Sequence, residues 1–311
     1  ILSIEKALSI QTHPNKKVAK VLHKNDPKNY PDSNHKPEIA IAIDKLNAIV
    51  GLKNLENIKN SFIKYPQLNL LLSKEINEKL FSVKSKFNED FIKEVYSEVM
   101  NASDRKIKLC VNSLLEFISQ KSKKNKIEAQ FLAEYNNYGF DVGLISLLLF
   151  NFIQLKKDEA IFTKAGIPHA YLGGNIVECM ANSDNVVRAG LTSKFKDINT
   201  LTKILEIETA FSNVEIKESK NITLYVTPAE EFRIEKITLN KDFDKNKFIT
   251  NGINIFLILD GIIEVTFGSK KSEIYKKGEA FFIPDCLKKF SINMKNDSKI
   301  FRVTVPIGIS A

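Results

Sequence analysis

The sequence predicts a mainly β protein interrupted by a helical insertion. Near the start, Leu8, Ile10 and Thr12 alternate with polar residues, which is the period of a strand with one buried face. From about Asp44 to Phe152 the apolar spacing changes to three and four residues and Gly and Pro are sparse, which indicates helices. The period of two then returns and continues to the end of the chain.

The individual elements follow the same periodicities in chain order. The patterns predict a short helix at Lys16–His23, a strand at Pro37–Ile43, helices within Phe81–Tyr96 and Ser113–Ile118, a helix at Asp197–Glu206, and strands at Ile253–Leu259, Gly261–Phe267 and Glu279–Ile283. The helical stretch therefore separates two groups of strands.

A short internal similarity divides the β part into two halves. Lys156–Phe162 resembles Lys276–Phe282, 120 positions later, and a proline follows each copy. Two copies of one β-barrel unit would produce this pattern, and chance similarity of a strand-entry motif is the alternative. His169 follows the first proline and Asp285 follows the second. No histidine lies beyond position 169, so we expect only the first copy to be equipped for a metal.

Composition limits the class of protein. The 311 residues, 43% of them hydrophobic, allow one large domain or two to three smaller ones. The longest apolar run, Leu144–Phe150, is too short to span a bilayer, and the first residues lack the layout of a signal peptide. Cys110, Cys179 and Cys286 are far apart and odd in number, which favours reduced thiols in the cytoplasm.

The net charge of +9 has two interpretations. It could attract anionic small molecules or nucleic acid, or it could come from lysines that are scattered over solvated faces without a binding function. No recognition-helix motif or aromatic-basic RNA motif accompanies the charge, so we expect no nucleic-acid partner.

Four side chains of metal-ligand type come from three distant segments: Gln11, His13, Glu38 and His169. Two imidazoles, a carboxylate and an amide oxygen suit Zn²⁺ or a similar divalent ion. Each residue also has an ordinary alternative, since a strand histidine is often only hydrogen-bonded and Glu38 could pair with Lys36 or Lys45.

A hairpin argument places a second carboxylate beside His169. Gly173-Gly174 is a favourable two-residue turn. If it is the turn, His169 lies opposite Glu178 and both side chains share one face. The spacing then predicts that Glu178 points into the candidate metal pocket.

Five segments together resemble a known family. They are Leu8–Pro14, Asn34–Ala40, Pro168–Leu172, Val177–Ala181 and Ser183–Thr192. In order and spacing these segments are similar to those of type I mannose-6-phosphate isomerases, with weaker similarity continuing to the C-terminus.

The resemblance implies a cupin-type β-barrel catalytic domain, an α-helical domain and a second, cupin-like C-terminal barrel. With the periodicities, it places the catalytic domain at 1–43 and 152–219, the helical domain at 44–151, and the C-terminal domain, which has no metal ligands, at 220–311. It also implies one zinc ion per chain, bound by Gln11, His13, Glu38 and His169, and interconversion of mannose 6-phosphate and fructose 6-phosphate through an enediol(ate).

Within this chemistry, a base must move a proton between C1 and C2 of the sugar. Glu178 is the first candidate because of the hairpin register, and Arg188 should stabilise charge on the substrate. A salt bridge from Arg188 to Asp184 is the structural alternative. The resemblance gives His35 a role in acid–base chemistry of ring opening, although strand parity would turn it away from Glu38.

Other residues are candidates for holding the phosphate or the sugar hydroxyls. They are Ser9, Lys36, Lys194, Tyr171 and Asp184, of which Lys36 is also a catalytic candidate and Tyr171 is as readily explained by packing.

The chain departs from the family pattern at its start, where a substantial N-terminal stretch is absent, and it contains no Trp. We expect a cytoplasmic monomer that acts on a small sugar phosphate, contributes to GDP-mannose and glycan synthesis, and has no membrane partner. Two alternatives stay open: another sugar-phosphate isomerase or epimerase using the same pocket, and a non-catalytic sugar- or metal-binding cupin.

Overall fold

The computed structural model describes residues 1–82, 88–208, 214–241, 243, 252–267, 271–287 and 290–306. The chain divides into two compact units. The first contains Ile1–Glu178 and Asn182–Ser212, and the second contains Cys179–Ala181 and Asn213–Ala311.

The first unit combines a sheet with helices. Its strands are β1 (Leu2–Ile4), β2 (Ile10–Thr12), β3 (Glu38–Ala42), β4 (Leu46–Leu52), β5 (Phe150–Leu155), β6 (Ala160–Thr163), β7 (His169–Met180, whose last two residues belong to the second unit) and β8 (Val187–Gly190). Its helices are α1 (Lys16–Asn25), α2 (Leu55–Lys64), a 3-10 helix (Pro66–Leu71), α3 (Lys74–Ser82), α4 (Glu89–Met100), α5 (Asp104–Ser119), α6 (Lys126–Tyr138), α7 (Gly143–Leu149) and α8 (Ile198–Ile204).

The long strand β7 organises this sheet. Its first half pairs antiparallel with β4 and β2, and β2 pairs in turn with β8. Its second half pairs with β1, while β3 joins β6 to the same sheet. One strand therefore connects the segments that carry His13, Glu38 and Arg188.

The predicted hairpin at Gly173-Gly174 is wrong, because β7 runs through both glycines without reversing. Gly174 has φ +122°, and a Cβ there would lie 2.2 Å from the backbone oxygen of Lys45. Only glycine fits this conformation and this close approach. The pair therefore marks the place where β7 changes neighbours, and it is not a turn.

We expect Gly174→Ala to destabilise the fold by about 2–4 kcal/mol, because it adds both backbone strain and a steric clash. Gly173→Ala is the matched control, since its Cβ would meet only the backbone oxygen of Ile4 at 3.8 Å. Urea unfolding of both variants measures the difference. Equal stability would show that β7 accommodates a side chain at this bend.

The described residues of 44–151 are mainly helical, as predicted, except at both ends, where Leu46–Leu52 is a strand and β5 begins at Phe150. Every residue of β4 except Asn47 is buried, and buried strands lack the alternation that identifies a strand from sequence. The helices from α2 onward pack with the outer side of the sheet in one large apolar cluster, which includes Phe62, Tyr96 and Leu148.

A second, smaller cluster contains Ala40, Ala42, Ile161 and Tyr171. Both alanines are fully buried in this cluster.

The second unit is built of strands. These are β9 (Glu215–Glu218), β10 (Ile222–Val226), β11 (Arg233–Leu239), β12 (Asn254–Asp260), β13 (Ile262–Phe267), β14 (Lys271–Lys276), β15 (Ala280–Ile283), β16 (Phe290–Met294) and β17 (Ser298–Thr304). A six-stranded sheet has the order β15-β12-β17-β11-β10-β9, and a three-stranded sheet has the order β14-β13-β16.

The internal similarity found in the sequence corresponds to one local structure that occurs twice. Before β6, the N–H of Lys156 donates to Glu159 Oε2 at 2.7 Å. Before β15, the N–H of Lys276 donates to Glu279 Oε2, also at 2.7 Å. The third residue of each turn has positive φ, 70° at Asp158 and 88° at Gly278. The similarity is therefore a shared strand-entry turn in both units.

Among the described strands, hydrogen bonds close none of the three sheets into a barrel. In the same part of the chain, no helix combines the length and the apolar character needed to cross a bilayer.

Candidate metal centre and active site

Three predicted ligands come together at one end of the sheet in the first unit. His13 directly follows β2, Glu38 begins β3 and His169 begins β7. Their ligand atoms all lie within 4.8 Å of one another. His13 Nε2 is 3.3 Å from Glu38 Oε1, and His169 Nε2 is 3.3 Å from Glu38 Oε2. All three side chains are at most 1% exposed.

The hydrogen bond made by Nδ1 of each imidazole determines whether Nε2 carries a proton. His13 Nδ1 lies 2.8 Å from the backbone oxygen of Asn185, and His169 Nδ1 lies 3.1 Å from that of Ile167. A carbonyl oxygen only accepts, so each Nδ1 must carry the proton. In the neutral imidazoles, both Nε2 lone pairs then face the carboxylate of Glu38.

The Nε2 lone pairs and the carboxylate oxygens repel each other unless a proton or a cation lies between them. Burial lowers the pKa of His13, opposed in part by the hydrogen bond and charge of Glu38, which favours the neutral ring. Burial by itself would raise the pKa of Glu38, but its interactions with His13 and His169 hold it well below its usual range. The preferred state is a carboxylate between two imidazoles, which suits a bound divalent cation.

The buried polar atoms fit such an ion. His13 Nε2 and Glu38 Oε1 are buried without a hydrogen bond of acceptable geometry. Lys36 Nζ lies 2.9 Å from the same Oε1, so part of the negative charge of Glu38 is balanced by this ammonium. The pairing of Glu38 with Lys36 that the sequence allowed is therefore formed, in addition to the convergence of the three ligands.

Strand register brings two further predicted residues to this face. Gln11 on β2 lies directly opposite His169 on β7 and opposite Arg188 on β8. Residues opposite each other in neighbouring strands project from the same side of a sheet. No ion pair between Arg188 and Asp184 is formed in the described part of the chain; the N–H of Asp184 instead donates to Asp32 Oδ2.

Glu178 lies near the site although the reason predicted for it was wrong. Its pKa is raised to about 7, mainly by burial and then by the charge of Glu38, while Lys36 and His169 act in the opposite direction. These electrostatic interactions require Glu178 to be close to the candidate ligands. No hairpin separates Glu178 from His169, because both lie on the continuous strand β7.

The remaining predicted residues divide into two groups. The ring of Tyr171 is 1% exposed and packs in an apolar cluster, 5.9 Å from His169 between ring centroids, while its buried hydroxyl has no hydrogen-bond partner among the described residues. His35 precedes the start of β3, so the strand-parity argument against it does not apply. Ser9 is half-buried just before β2, whereas Asp184 and Lys194 are exposed. Among the described contacts, none connects the side chains of Ser9, Asp184 or Lys194 to the candidate ligands.

A hydrogen-bonded pair of loops holds the site and was not predicted. Asp32 Oδ1 accepts from the hydroxyl of Ser183 at 2.9 Å, and its Oδ2 accepts from the N–H of Asp184 at 2.8 Å. The buried amide of Asn185 donates to the backbone oxygens of Asp32 and Asn34. Since Asn185 also accepts from His13, this network joins the loop before Lys36 to a candidate ligand. The only sequence signal was that Asn34 and Ser183 lie in the family-like segments.

Comparisons with known proteins show to which family the chain is related. The family model for the catalytic domain of type I phosphomannose isomerase matches residues 1–55. Mannose-6-phosphate isomerase 2 of Arabidopsis thaliana is 33% identical over 98% of this chain and 71% of its own length. This chain belongs to the mannose-6-phosphate isomerase family. It is therefore related to aldose–ketose isomerases along nearly its whole length.

Other mannose-6-phosphate isomerases match over different shares of their length. The rat enzyme is 33% identical over 98% of this chain and 74% of its own length. The Saccharomyces cerevisiae enzyme is 39% identical over 80% of this chain and 63% of its own length. The chain therefore spans roughly two thirds to three quarters of these family members.

Solved structures of the family share the fold. A point mutant of phosphomannose isomerase from Salmonella typhimurium has a TM-score of 0.83 at 24% identity and covers 97% of this chain and 76% of that one. A mannose 6-phosphate isomerase bound with zinc and yttrium has a TM-score of 0.81 at 23% identity, over 98% of this chain and 77% of that one.

Proposed function

We propose that this isomerase interconverts mannose 6-phosphate and fructose 6-phosphate with one zinc ion per chain. The observation that carries the proposal is the pair of imidazole Nε2 atoms, each 3.3 Å from a different oxygen of buried Glu38. Gln11 would complete the ligand set from the neighbouring strand. A cation in this position would polarise the substrate carbonyl and stabilise negative charge on oxygen in the enediol(ate).

Glu178 is the proposed base. As a carboxylate it would take the proton from C2 of open-chain mannose 6-phosphate, which leaves an enediolate. Delivery of that proton to C1, with the hydroxyl proton moving from O2 to O1, yields fructose 6-phosphate. A pKa near 7 suits this role, because the group can both accept and return a proton at neutral pH.

Two cations would assist the substrate. Arg188 shares a sheet face with His169 and Gln11 and would stabilise charge that develops on the substrate oxygens. Lys36, whose ammonium contacts Glu38, would turn to the substrate phosphate or a hydroxyl. Ser9, Lys194 and Asp184 would bind at the rim, and His35 would assist ring opening.

We also propose that the division into a catalytic cupin domain, a helical domain and a C-terminal cupin-like domain describes the chain, and that the protein acts as a cytoplasmic monomer supplying GDP-mannose synthesis. The recurrent strand-entry turn before β6 and β15 supports a common origin of the two β units.

A coupled assay of mannose 6-phosphate conversion to fructose 6-phosphate tests the function directly. We expect turnover that a chelator abolishes and zinc restores, because the site loses its charge stabilisation with the cation. Turnover on another sugar phosphate alone would assign a different isomerase or epimerase. Sugar binding without turnover, in protein that circular dichroism shows to be folded, would favour a non-catalytic cupin.

A further inference from the structure

A polar cavity of about 240 Å³ lies among the helices, with none of the candidate active-site residues in its lining. It is bounded by α2, by the residue that follows β4 and by the start of α6. The residues that give it its chemistry are Lys53, Lys64, Asn57, Asn60, Asn125 and Tyr65. Two lysines and no acidic side chain line it, so the cavity has a positive character.

Lys53 is a half-buried cation without an anionic partner among the described residues. Its ammonium donates to Ser61 Oγ at 3.0 Å and to the backbone oxygen of Leu148 at 2.6 Å, and both are neutral acceptors. Burial, together with the nearby charge of Lys64, lowers the pKa of Lys53 to about 8. A charge that is partly removed from water is normally paired with an opposite charge. The described residues supply no such counter-ion to Lys53.

The nearest carboxylate does not supply that counter-ion. Glu128 Oε1 is 3.8 Å from Lys64, but it is also 2.6 Å from Lys121 and accepts from the hydroxyl of Tyr65 at 2.9 Å. Its other oxygen accepts from the N–H of Asn125 at 2.9 Å. Glu128 is therefore already satisfied, and the positive charge of Lys53 and Lys64 is left in excess.

Neutral hydrogen-bonding groups surround the two ammonium groups. The side chains of Asn57 and Asn60 are exposed and make no hydrogen bond to other described residues. The amide of Asn125 has only a long contact, 3.5 Å, to Tyr65. Amides can donate to phosphate oxygens and can also pair with sugar hydroxyls.

We propose that this cavity binds a phosphate group, free or carried by a small molecule, at a second site distinct from the candidate metal centre. Two ammonium groups and several amide donors are the chemistry that holds a phosphate dianion. The volume exceeds that of phosphate alone, so a small polar body attached to the phosphate also fits. The ligand would supply the counter-ion that Lys53 lacks.

The test uses zinc-loaded protein and compares thermal midpoints in inorganic phosphate and in chloride of equal ionic strength. Asn60→Asp is the decisive variant, because it puts a fixed carboxylate beside the lysines. We expect it to raise the midpoint without phosphate and to remove most of the gain that phosphate gives the unaltered protein. Lys64→Ala should weaken phosphate binding by about tenfold, and it should not raise the midpoint in the absence of phosphate.

Lys20→Ala is the matched control, since it removes one exposed lysine from α1, away from the cavity lining. It should keep the full phosphate response, so any phosphate bound at the active site is subtracted in the comparison. Full wild-type responses in both Asn60→Asp and Lys64→Ala would overturn the proposal. Calorimetry with glucose 6-phosphate on the same variants then distinguishes free phosphate from a phosphorylated small molecule. If the site binds a phosphorylated small molecule, glucose 6-phosphate should bind more tightly than inorganic phosphate.

Discussion

His169→Ala should lose bound metal and isomerase activity together. The substitution removes one of two imidazoles whose Nε2 atoms face Glu38, and it leaves the carboxylate buried beside Lys36 and His13 alone. We expect zinc content well below one ion per chain and a fall in kcat/KM of about a thousandfold or more, because polarisation by the cation contributes several kcal/mol to catalysis.

Zinc content by elemental analysis and the coupled assay measure the two losses on the same sample. His23→Ala is the control, because this histidine is half-buried in α1 and only hydrogen-bonds the backbone oxygen of Tyr30 at 2.7 Å. If His169→Ala does not fold, His169→Gln preserves most of the volume. A variant at position 169 that keeps stoichiometric zinc would remove His169 from the ligand set.

Glu178→Gln should keep the metal and lose turnover. The amide preserves the size of the side chain but cannot accept the proton from carbon, so we expect kcat to fall by about 10²–10⁴-fold. Zinc content should match that of the unaltered protein, since Glu178 is not one of the proposed ligands. Near-normal turnover would transfer the role of the base to another group.

Glu178→Gln should reduce turnover but stabilise the folded protein. Replacement of a carboxylate with a purely structural role would instead destabilise the fold. The pKa of Glu178 in the folded protein, about 7, lies above its ordinary value of 4.5, so folding favours the protonated form. Its contribution to stability is therefore complete below about pH 4.5 and is lost as the pH rises through 7. Glutamine resembles the protonated form at every pH.

In chelator-treated protein, Glu178→Gln should thus unfold like the unaltered protein near pH 4.5 and be more stable at pH 8 by up to about 3 kcal/mol. Urea unfolding at the two pH values measures the difference. A variant that is less stable at pH 8 would mean that the ionised carboxylate contributes a favourable structural contact.

Much of the architecture could be predicted from local patterns. The helix at Lys16–Asn25 and the strands near 254–267 follow from apolar spacing, because each has one face in the core and one in water. Strand β4 could not be recognised in this way, because almost all of it is buried and its sequence does not alternate. The two glycines of β7 have the sequence of a turn, and only the close approach of Lys45 explains them in a strand.

By itself, the sequence determined the chemical types in the site and the family to which the chain belongs, since His13, Glu38 and His169 are recognisable from their motifs. Only the tertiary structure decided how these side chains act. The carbonyl oxygen of Asn185, from a distant segment, orients the imidazole of His13 toward Glu38, whereas the carbonyl oxygen of Ile167, two residues earlier in the chain, orients that of His169. Burial, and not spacing, raises the pKa of Glu178. Long-range packing sets the orientation of His13 and the burial of Glu178, and a local pattern of residues does not contain it.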